Sequence, residues 1–292
     1  MQEGLTACRH SPIPRAGPSR ILGNHPVGPG WYVLRLAEPA IAEAAAPGQF
    51  VQILCRPEGS SDPLLRRPFS IYKADRSAGT FDILYTVAGR GTRWMASLPR
   101  EPAPGAIGTL DVIGPFGNTF TMPNAGDRVI LVGGGVGVAP LYFLALQILA
   151  AARSPEIILC MGARTAAQLQ GLQEFRALPI RCEAATDDGS TGSRGFVTGL
   201  LEQILVAGGT AAAPARIYGC GPSGMNEALR RIAVARGLWC EICLESRMAC
   251  GFGICFGCVE PIRKEPGGPV YNRRVCWEGP VFDASLIQGK TA

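Results

Sequence analysis

The sequence predicts a mixed fold of three parts in series: an antiparallel β-barrel, an α/β sheet unit, and a small cysteine-bearing C-terminal unit. Three observations carry this expectation. From about Tyr32 to Met122, short alternating or apolar runs are separated by dense Gly and Pro, the pattern of short strands joined by turns. From about Asp127, strand-like runs alternate with helical ones, as in a mostly parallel sheet. Near the C-terminus, Cys250, Cys255, Cys258 and Cys276 stand as C-x4-C-x2-C followed, after seventeen residues, by C.

In the first part, strands are expected at Trp31 to Leu36, Phe50 to Cys55, Phe69 to Tyr72 and Phe81 to Val87, with a short helix from Arg93 to Leu98. Pro123 and Gly126 mark the passage to the second part. There, strands are expected at Val129 to Val132, Ile157 to Met161, Arg181 to Ala184, Arg216 to Tyr218 and Leu238 to Leu244. Helices fit Pro140 to Ala151, Thr165 to Arg176, Gly199 to Val206 and Ser223 to Arg236. The expected divisions are a flexible extension over 1–20, a barrel over 21–123, the α/β unit over 124–243 and the cysteine unit over 244–292. No repeat of fixed period is present, and the only compositionally biased patch is Ala207 to Ala213.

Composition narrows the function classes. With 292 residues, 47% hydrophobic and 17% charged, the chain has enough material for two compact domains and a small third. The longest apolar stretch, Val136 to Ala152, is broken by Gly137, Pro140 and Gln147, so no membrane span of roughly 20 residues is expected. The formal charge of +5 rests on arginine, the only lysines being Lys73, Lys264 and Lys290, and no basic run suggests nucleic-acid binding. Residues 1–30 are rich in Pro, Gly and Arg and lack the apolar core of a signal peptide, which predicts a cytoplasmic protein. His10 and His25 are the only histidines, so histidine catalysis is not expected.

The four-cysteine spacing is that of plant-type 2Fe-2S ligands. The segment Cys250 to Cys258 contains Gly251, Gly253 and Gly257, which permit the positive φ of a loop that wraps metal. Zinc is the alternative, with Cys240-x2-Cys243 and Cys255-x2-Cys258 as two thiolate pairs. On a strand, however, side chains three apart face opposite ways, so Cys240 and Cys243 make poor partners. A disulfide framework fits less well, because eleven cysteines is an odd number in a chain too long to need one.

Four further constellations bear on chemistry. Arg66-Arg67-Pro68-Phe69-Ser70 offers an arginine for a phosphate and extended backbone for a flat heterocycle; a surface arginine beside a turn proline is the bland reading. Gly89-Arg90-Gly91-Thr92 before a short helix suits a pyrophosphate, or is simply a turn with a threonine cap. Gly133, Gly134, Gly135 and Gly137 lie between a strand and a helix, with Val138 where the strict dinucleotide pattern needs glycine; such turns also serve packing alone. Cys220, in Gly219-Cys220-Gly221-Pro222 at a strand's carboxyl end, stands where open α/β sheets place ligands. Cys8, Cys55, Cys160 and Cys182 lack such neighbours and read as small buried hydrophobes.

In this order the motifs resemble the ferredoxin-NADP reductase superfamily with a C-terminal plant-type cluster. More narrowly, Leu244-Glu245-Ser246-Arg247-Met248-Ala249-Cys250-Gly251-Phe252-Gly253 and Arg274-Val275-Cys276-Trp277-Glu278-Gly279-Pro280-Val281-Phe282 look like the electron-transfer subunit of NAD-linked dihydroorotate dehydrogenase. The resemblance covers nearly the whole chain after about Arg20. It implies a FAD-binding barrel, a Rossmann-like nucleotide unit and a 2Fe-2S unit held by Cys250, Cys255, Cys258 and Cys276. It also implies that Arg67, Pro68, Phe69, Ser70, Leu84, Tyr85 and Thr86 hold the flavin, that Gly91 and Thr92 meet its pyrophosphate, and that Cys220 sits beside the nicotinamide.

The implied partner is an FMN-containing catalytic subunit, in a heterotetramer, from which electrons pass to NAD+ in pyrimidine biosynthesis. A nicotinamide exchanges a hydride while a 2Fe-2S cluster takes one electron at a time, so a flavin is the natural intermediary and the cofactors carry the hard chemistry. Two other readings remain open: an NAD(P)H-linked ferredoxin or sulfide-type oxidoreductase, and a zinc-stabilised binding module. Arg164, after the second α/β strand, leaves NADP as an alternative to NAD.

Overall fold

A computed structural model describes residues 14–101, 108–151, 156–207 and 215–289. Cys8 and His10 lie outside the described residues, as does most of the Ala/Gly-rich patch.

Six antiparallel strands close a barrel in the order β1, β2, β5, β4, β3, β6. These are β1 (Arg15–Gly28), β2 (Trp31–Ala37), β3 (Phe50–Ile53), β4 (Arg67–Asp75), β5 (Thr80–Thr86) and β6 (Thr109–Phe116). Alternation builds the interior: Leu34, Leu36, Val51, Ile53, Ile71, Phe81 and Ile83 are fully or almost fully buried in one cluster. Closure falls on β1, whose residues Arg15 to Arg20 pair with Gly114 to Thr109 of β6. Residues 15–20 were expected within a flexible extension; their role as a barrel edge was hidden because Gly17 and Pro18 break the strand pattern. Helix α1 (Pro39–Ala44) covers one side of the barrel, and α2 (Arg90–Ala96) follows β5. This second helix starts three residues earlier than expected because Thr92 Oγ1 accepts the N–H groups of Ala88 and Gly89 at 2.9 and 3.1 Å, drawing Gly91 and Thr92 into its first turn.

The α/β unit is a seven-stranded sheet in the order β10, β9, β8, β7, β11, β12, β15. Its strands are β7 (Arg128–Gly134), β8 (Glu156–Ala163), β9 (Arg181–Thr186), β10 (Ser193–Arg194), β11 (Ala215–Cys220), β12 (Trp239–Cys243) and β15 (Val281–Asp283). All neighbours are parallel except β12 and β15. Helices α3 (Val138–Ala150), α4 (Leu172–Arg176), α5 (Val197–Ala207) and α6 (Ser223–Arg236) cover the faces. One long helix was expected over Thr165 to Arg176. The structure instead has a 3-10 turn at Ala166–Gln168 and then α4, since Gly171 at φ +86° takes a left-handed conformation that ends a helix.

The barrel and sheet share a core. Trp31, Tyr72 and Leu84 from the barrel pack in one cluster with Leu131, Leu141 and Leu144. Between β6 and β7 the chain is pinned by Tyr218 Oη, which donates to Thr121 O at 2.7 Å, and by the Glu241 carboxylate, which accepts Thr121 N–H and Oγ1–H at 2.8 and 2.6 Å.

The C-terminal unit holds a hairpin, β13 (Val259–Arg263) and β14 (Val270–Arg274), and a short helix, α7 (Val275–Glu278). The segment Lys264 to Gly268 lies at the hairpin's tip. This unit is not separate: β15 joins the main sheet, while Cys258, Val275 and Cys276 pack against Phe50 and Phe116 of the barrel.

Candidate functional site

Strand β7 ends where the sheet order reverses, with Gly133 in register with Cys220 of β11. This topological switch point is where open α/β sheets bind ligands. Two cavities meet there, sharing Thr86 and Val136. The first, of about 500 Å³, is lined by Arg67, Pro68, Phe69, Ser70, Leu84, Tyr85, Thr86, Gly91 and Thr92 from the barrel. Gly137, Cys220, Cys243 and Glu245 complete it from the sheet. All of the residues assigned to the flavin thus contribute atoms to the lining of one cleft.

Their individual roles differ. Arg66 is tied to Asp111 by its guanidinium, whereas Arg67 donates to the carbonyls of Leu65 and Arg66, at 2.7 and 3.1 Å, and pairs with no carboxylate among the described residues, which leaves its charge available to an anion in the cleft. Tyr85 turns its ring into the barrel, where its hydroxyl donates to Asn24 Oδ1 at 3.0 Å. It therefore offers the cleft backbone rather than phenol. The Thr92 hydroxyl caps α2. A Cβ at Gly91 would stand 2.9 Å from Cys55 Cβ, so this glycine lets the turn rest on the barrel wall.

The second cavity, about 880 Å³, is lined by Gly134, Gly135, Gly162, Arg164, Gln168, Asp187, Thr198 and Met225 among others. The four glycines of the β7 turn divide between roles. Gly134 and Gly135 line this cavity, and Gly135 has φ +56°. A Cβ at Gly133 would stand 2.8 Å from Val138 Cγ1, and one at Gly137 would stand 2.5 Å from Cys220 O, so these two serve close packing.

Cys220 and Cys243 are in register on adjacent strands, and both are buried. A hydrogen bond with Cys243 and burial together push the Cys220 thiol well above its ordinary range, which keeps it a neutral S–H. Sequence reasoning missed Cys243 as its neighbour, because pairing across β11 and β12 is a tertiary fact. Burial pushes Cys55 and Cys160 up to about 12 and also raises the half-buried Cys182, in keeping with inert packing roles. His25 lines neither cavity.

At the C-terminal unit every one of the four expected ligands accepts a backbone N–H. Cys250 Sγ accepts from Cys255 at 3.5 Å, Cys255 Sγ from Gly257 at 3.4 Å, Cys258 Sγ from Cys276 at 3.4 Å and Cys276 Sγ from Gly253 at 3.2 Å. Such bonds favour thiolates. Among the described residues the four thiols do not close into a set of three or more metal-ligating groups; Cys250 interacts with Cys255 and Cys276 with Cys258. For Cys250, burial pushes the thiol up but the N–H bonds from the loop outweigh it and bring it down to about 6. For Cys276, burial and then the Cys258 thiol push it up to about 12, a repulsion that bound iron would relieve. The zinc pairing has no support: Cys240 packs on one face of the sheet and Cys243 on the other.

Comparisons agree with this geometry. The family described as "Iron-sulfur cluster binding domain of dihydroorotate dehydrogenase B" matches residues 245–288, and "Oxidoreductase NAD-binding domain" matches 131–231. The chain is 38% identical over 258 residues to the electron transfer subunit of dihydroorotate dehydrogenase B (NAD(+)) of Bacillus caldolyticus, covering 88% of this chain and 92% of that protein. It is 35% identical over 264 residues to the same subunit of Desulforamulus reducens, covering 90% and 95%.

Among solved structures, an NADH-dependent reduced ferredoxin-NADP oxidoreductase superposes with a TM-score of 0.77 at 24% identity, covering 92% of this chain and 89% of that one. A ferredoxin NADP+ reductase from Neisseria gonorrhoeae with bound FAD and NADP superposes at 0.61 and 18% identity, covering 77% and 92%. With relatives 35% and 38% identical covered over 95% and 92% of their length, the chain belongs to the family of electron transfer subunits of dihydroorotate dehydrogenase B.

Proposed function

We propose that this chain carries electrons between a catalytic partner subunit holding FMN, in a heterotetramer that oxidises dihydroorotate in the cytoplasm, and NAD+ bound in its own α/β cleft. The single observation that supports the reading is that the cavity lined by β4 and β5 shares Thr86 and Val136 with the α/β cleft and is lined on its other side by Leu244 to Ser246 and Met248, just before the cysteine loop. Cys250, Cys255, Cys258 and Cys276 hold the 2Fe-2S cluster, and their backbone N–H partners stabilise the negative charge of the cage. Arg67 holds the FAD phosphates, while the β4 and β5 backbone from Pro68 to Ser70 and Leu84 to Thr86 flanks the ring. The flavin supplies the conversion between single electrons and a hydride.

Gly134 and Gly135 let the nucleotide approach the β7 turn, and the neutral Cys220 thiol packs at the nicotinamide end, where a thiolate would repel a hydride. Asp187, at the carboxyl end of β9 and lining the same cleft, favours NAD, since a ribose 2'-OH can donate to its carboxylate and a 2'-phosphate is repelled. Around the cluster loop, Phe252, Ile254, Phe256, Tyr271 and Trp277 are exposed, Ile254 at 72%. An apolar surface of this kind marks a protein interface and is the partner's docking face.

A Cys255→Ser variant tests the division of labour. NADH oxidation by ferricyanide should persist, while electron transfer from the co-expressed partner is lost. Joint loss of FAD and of NADH oxidation in a folded variant would refute it.

A further inference from the structure

Gln52 lies on β3, fully buried, opposite Pro68 of the flavin-lining strand. Its Nε2 lies 3.8 Å from Met248 Sδ, and Met248 itself lines the flavin cavity. On its other side is the cluster loop. Gly251 follows the ligand Cys250 and has φ +81°; a Cβ there would overlap Gln52 Nε2 and lie 2.8 Å from Cγ. The glycine at this point is therefore required twice, for its backbone conformation and for the space the carboxamide fills. The amide orientation follows from chemistry: a thioether can only accept, so the N–H end faces Met248 and the loop. Oε1 is buried without a hydrogen-bond donor among the described residues. Met or Leu would fill the same volume without the desolvation cost of that unpaired oxygen, so packing alone does not account for a glutamine here.

We propose that Gln52 is a positioning residue that tunes the cluster: the positive end of its amide dipole, aimed at the Cys250–Gly251 loop from the flavin side, raises the cluster's reduction potential. Hydrogen-bonding groups and dipoles around cluster sulfurs set such potentials, and the low dielectric of a buried site strengthens the effect. The inference rests on the proposed 2Fe-2S and FAD sites, and it assigns a role to a barrel residue outside both ligand sets.

The test is a redox titration of the complete complex, following the reduced cluster by electron paramagnetic resonance and the flavin by absorbance, for wild type, Gln52→Met and Gln52→Glu. Met matches the length of Gln and has no polar atom to leave unpaired, so folding is protected; equal FAD content and melting temperature verify it. In Gln52→Met the reduced-to-oxidised cluster ratio at a fixed poise should fall about tenfold, equivalent to about 59 mV for one electron. Gln52→Glu should fall further, and the flavin midpoint should stay in place. Unchanged cluster midpoints in both variants, or a shift confined to the flavin, would overturn the proposal. A wild-type complex with no reducible cluster signal would overturn the cluster assignment itself.

Discussion

Gly137 is the position where a single methyl group tests the architecture of the switch point. Its φ of −62° and ψ of −10° are helical, so alanine carries no backbone strain there and gains about 0.4–1 kcal/mol by restricting the unfolded chain. The cost is steric. A Cβ would lie 2.5 Å from Cys220 O, 2.6 Å from Cys220 C and 2.7 Å from Gly221 Cα. All three are backbone atoms that cannot rotate away, so the two loops must part by about 0.9 Å to reach ordinary contact. Overpacking of this kind costs about 1–3 kcal/mol, for a net loss of about 1–2 kcal/mol and a melting temperature lower by a few degrees. The functional effect is larger, because the displaced segment carries Cys220, and a misplacement near 1 Å costs on the order of 10²-fold in rate.

The assay is NADH oxidation by ferricyanide, with FAD content and thermal melting measured on the same samples. Gly137→Ala should keep FAD and lose about a hundredfold in kcat/KM. Gly199→Ala, on α5 with open space at its Cβ, should instead gain about 0.5–1 kcal/mol in stability and keep full activity. Wild-type kinetics in Gly137→Ala would refute the close approach of the β7 and β11 turns.

Ile254→Lys, in the exposed apolar face beside the cluster, should weaken association with the catalytic subunit at least about thirtyfold, as loss of a hot spot worth about 2 kcal/mol does; surface plasmon resonance with the purified partner checks this. Asp187→Asn should raise kcat/KM for NADPH by about tenfold, the equivalent of about 1.4 kcal/mol of relieved repulsion, and lower it for NADH, read from steady-state kinetics with both nucleotides. Glu278 accepts from Arg273 Nη1 at 2.7 Å and from Arg274 N and Nε at 2.8 and 3.2 Å. Burial pushes its carboxyl up, but these partners outweigh it and hold it below the ordinary 4.5. A carboxyl lowered in the folded state stabilises above its unfolded pKa and loses that contribution as pH falls through the folded one. The stabilisation contributed by Glu278 should therefore be lost only as pH falls below 4.5, and Glu278→Gln, lacking the ion pairs at every pH, should bleach faster than wild type already at pH 7, read from the cluster's visible absorbance.

Local chemistry made much of this protein legible. The spacing of Cys250, Cys255 and Cys258 requires only one short loop, and the glycines between them are read directly, so the proposed cluster site was legible in the sequence. Alternation in β2 and β5, and the strand-turn-helix at Gly133 to Pro140, likewise follow from periods of 2 and 3.6 within a few residues. Less local features were not legible. The strand from Arg15 to Arg20 exists because β6 offers it a partner, against the pull of Gly17 and Pro18. The helix expected from Thr165 divides at Gly171, where packing admits a left-handed residue.

Strand β15 and the pairs Cys220 with Cys243 and Gln52 with Gly251 join positions that only the folded chain brings together. Residue type and short-range spacing therefore determined which cofactors the chain binds, because ligand identity is a property of a few neighbouring side chains. Which arginine is free, which glycines pack and which face the cleft, and what lies between flavin and cluster were decided by tertiary structure, because burial and contact across distant strands are set only when the sheet and barrel close.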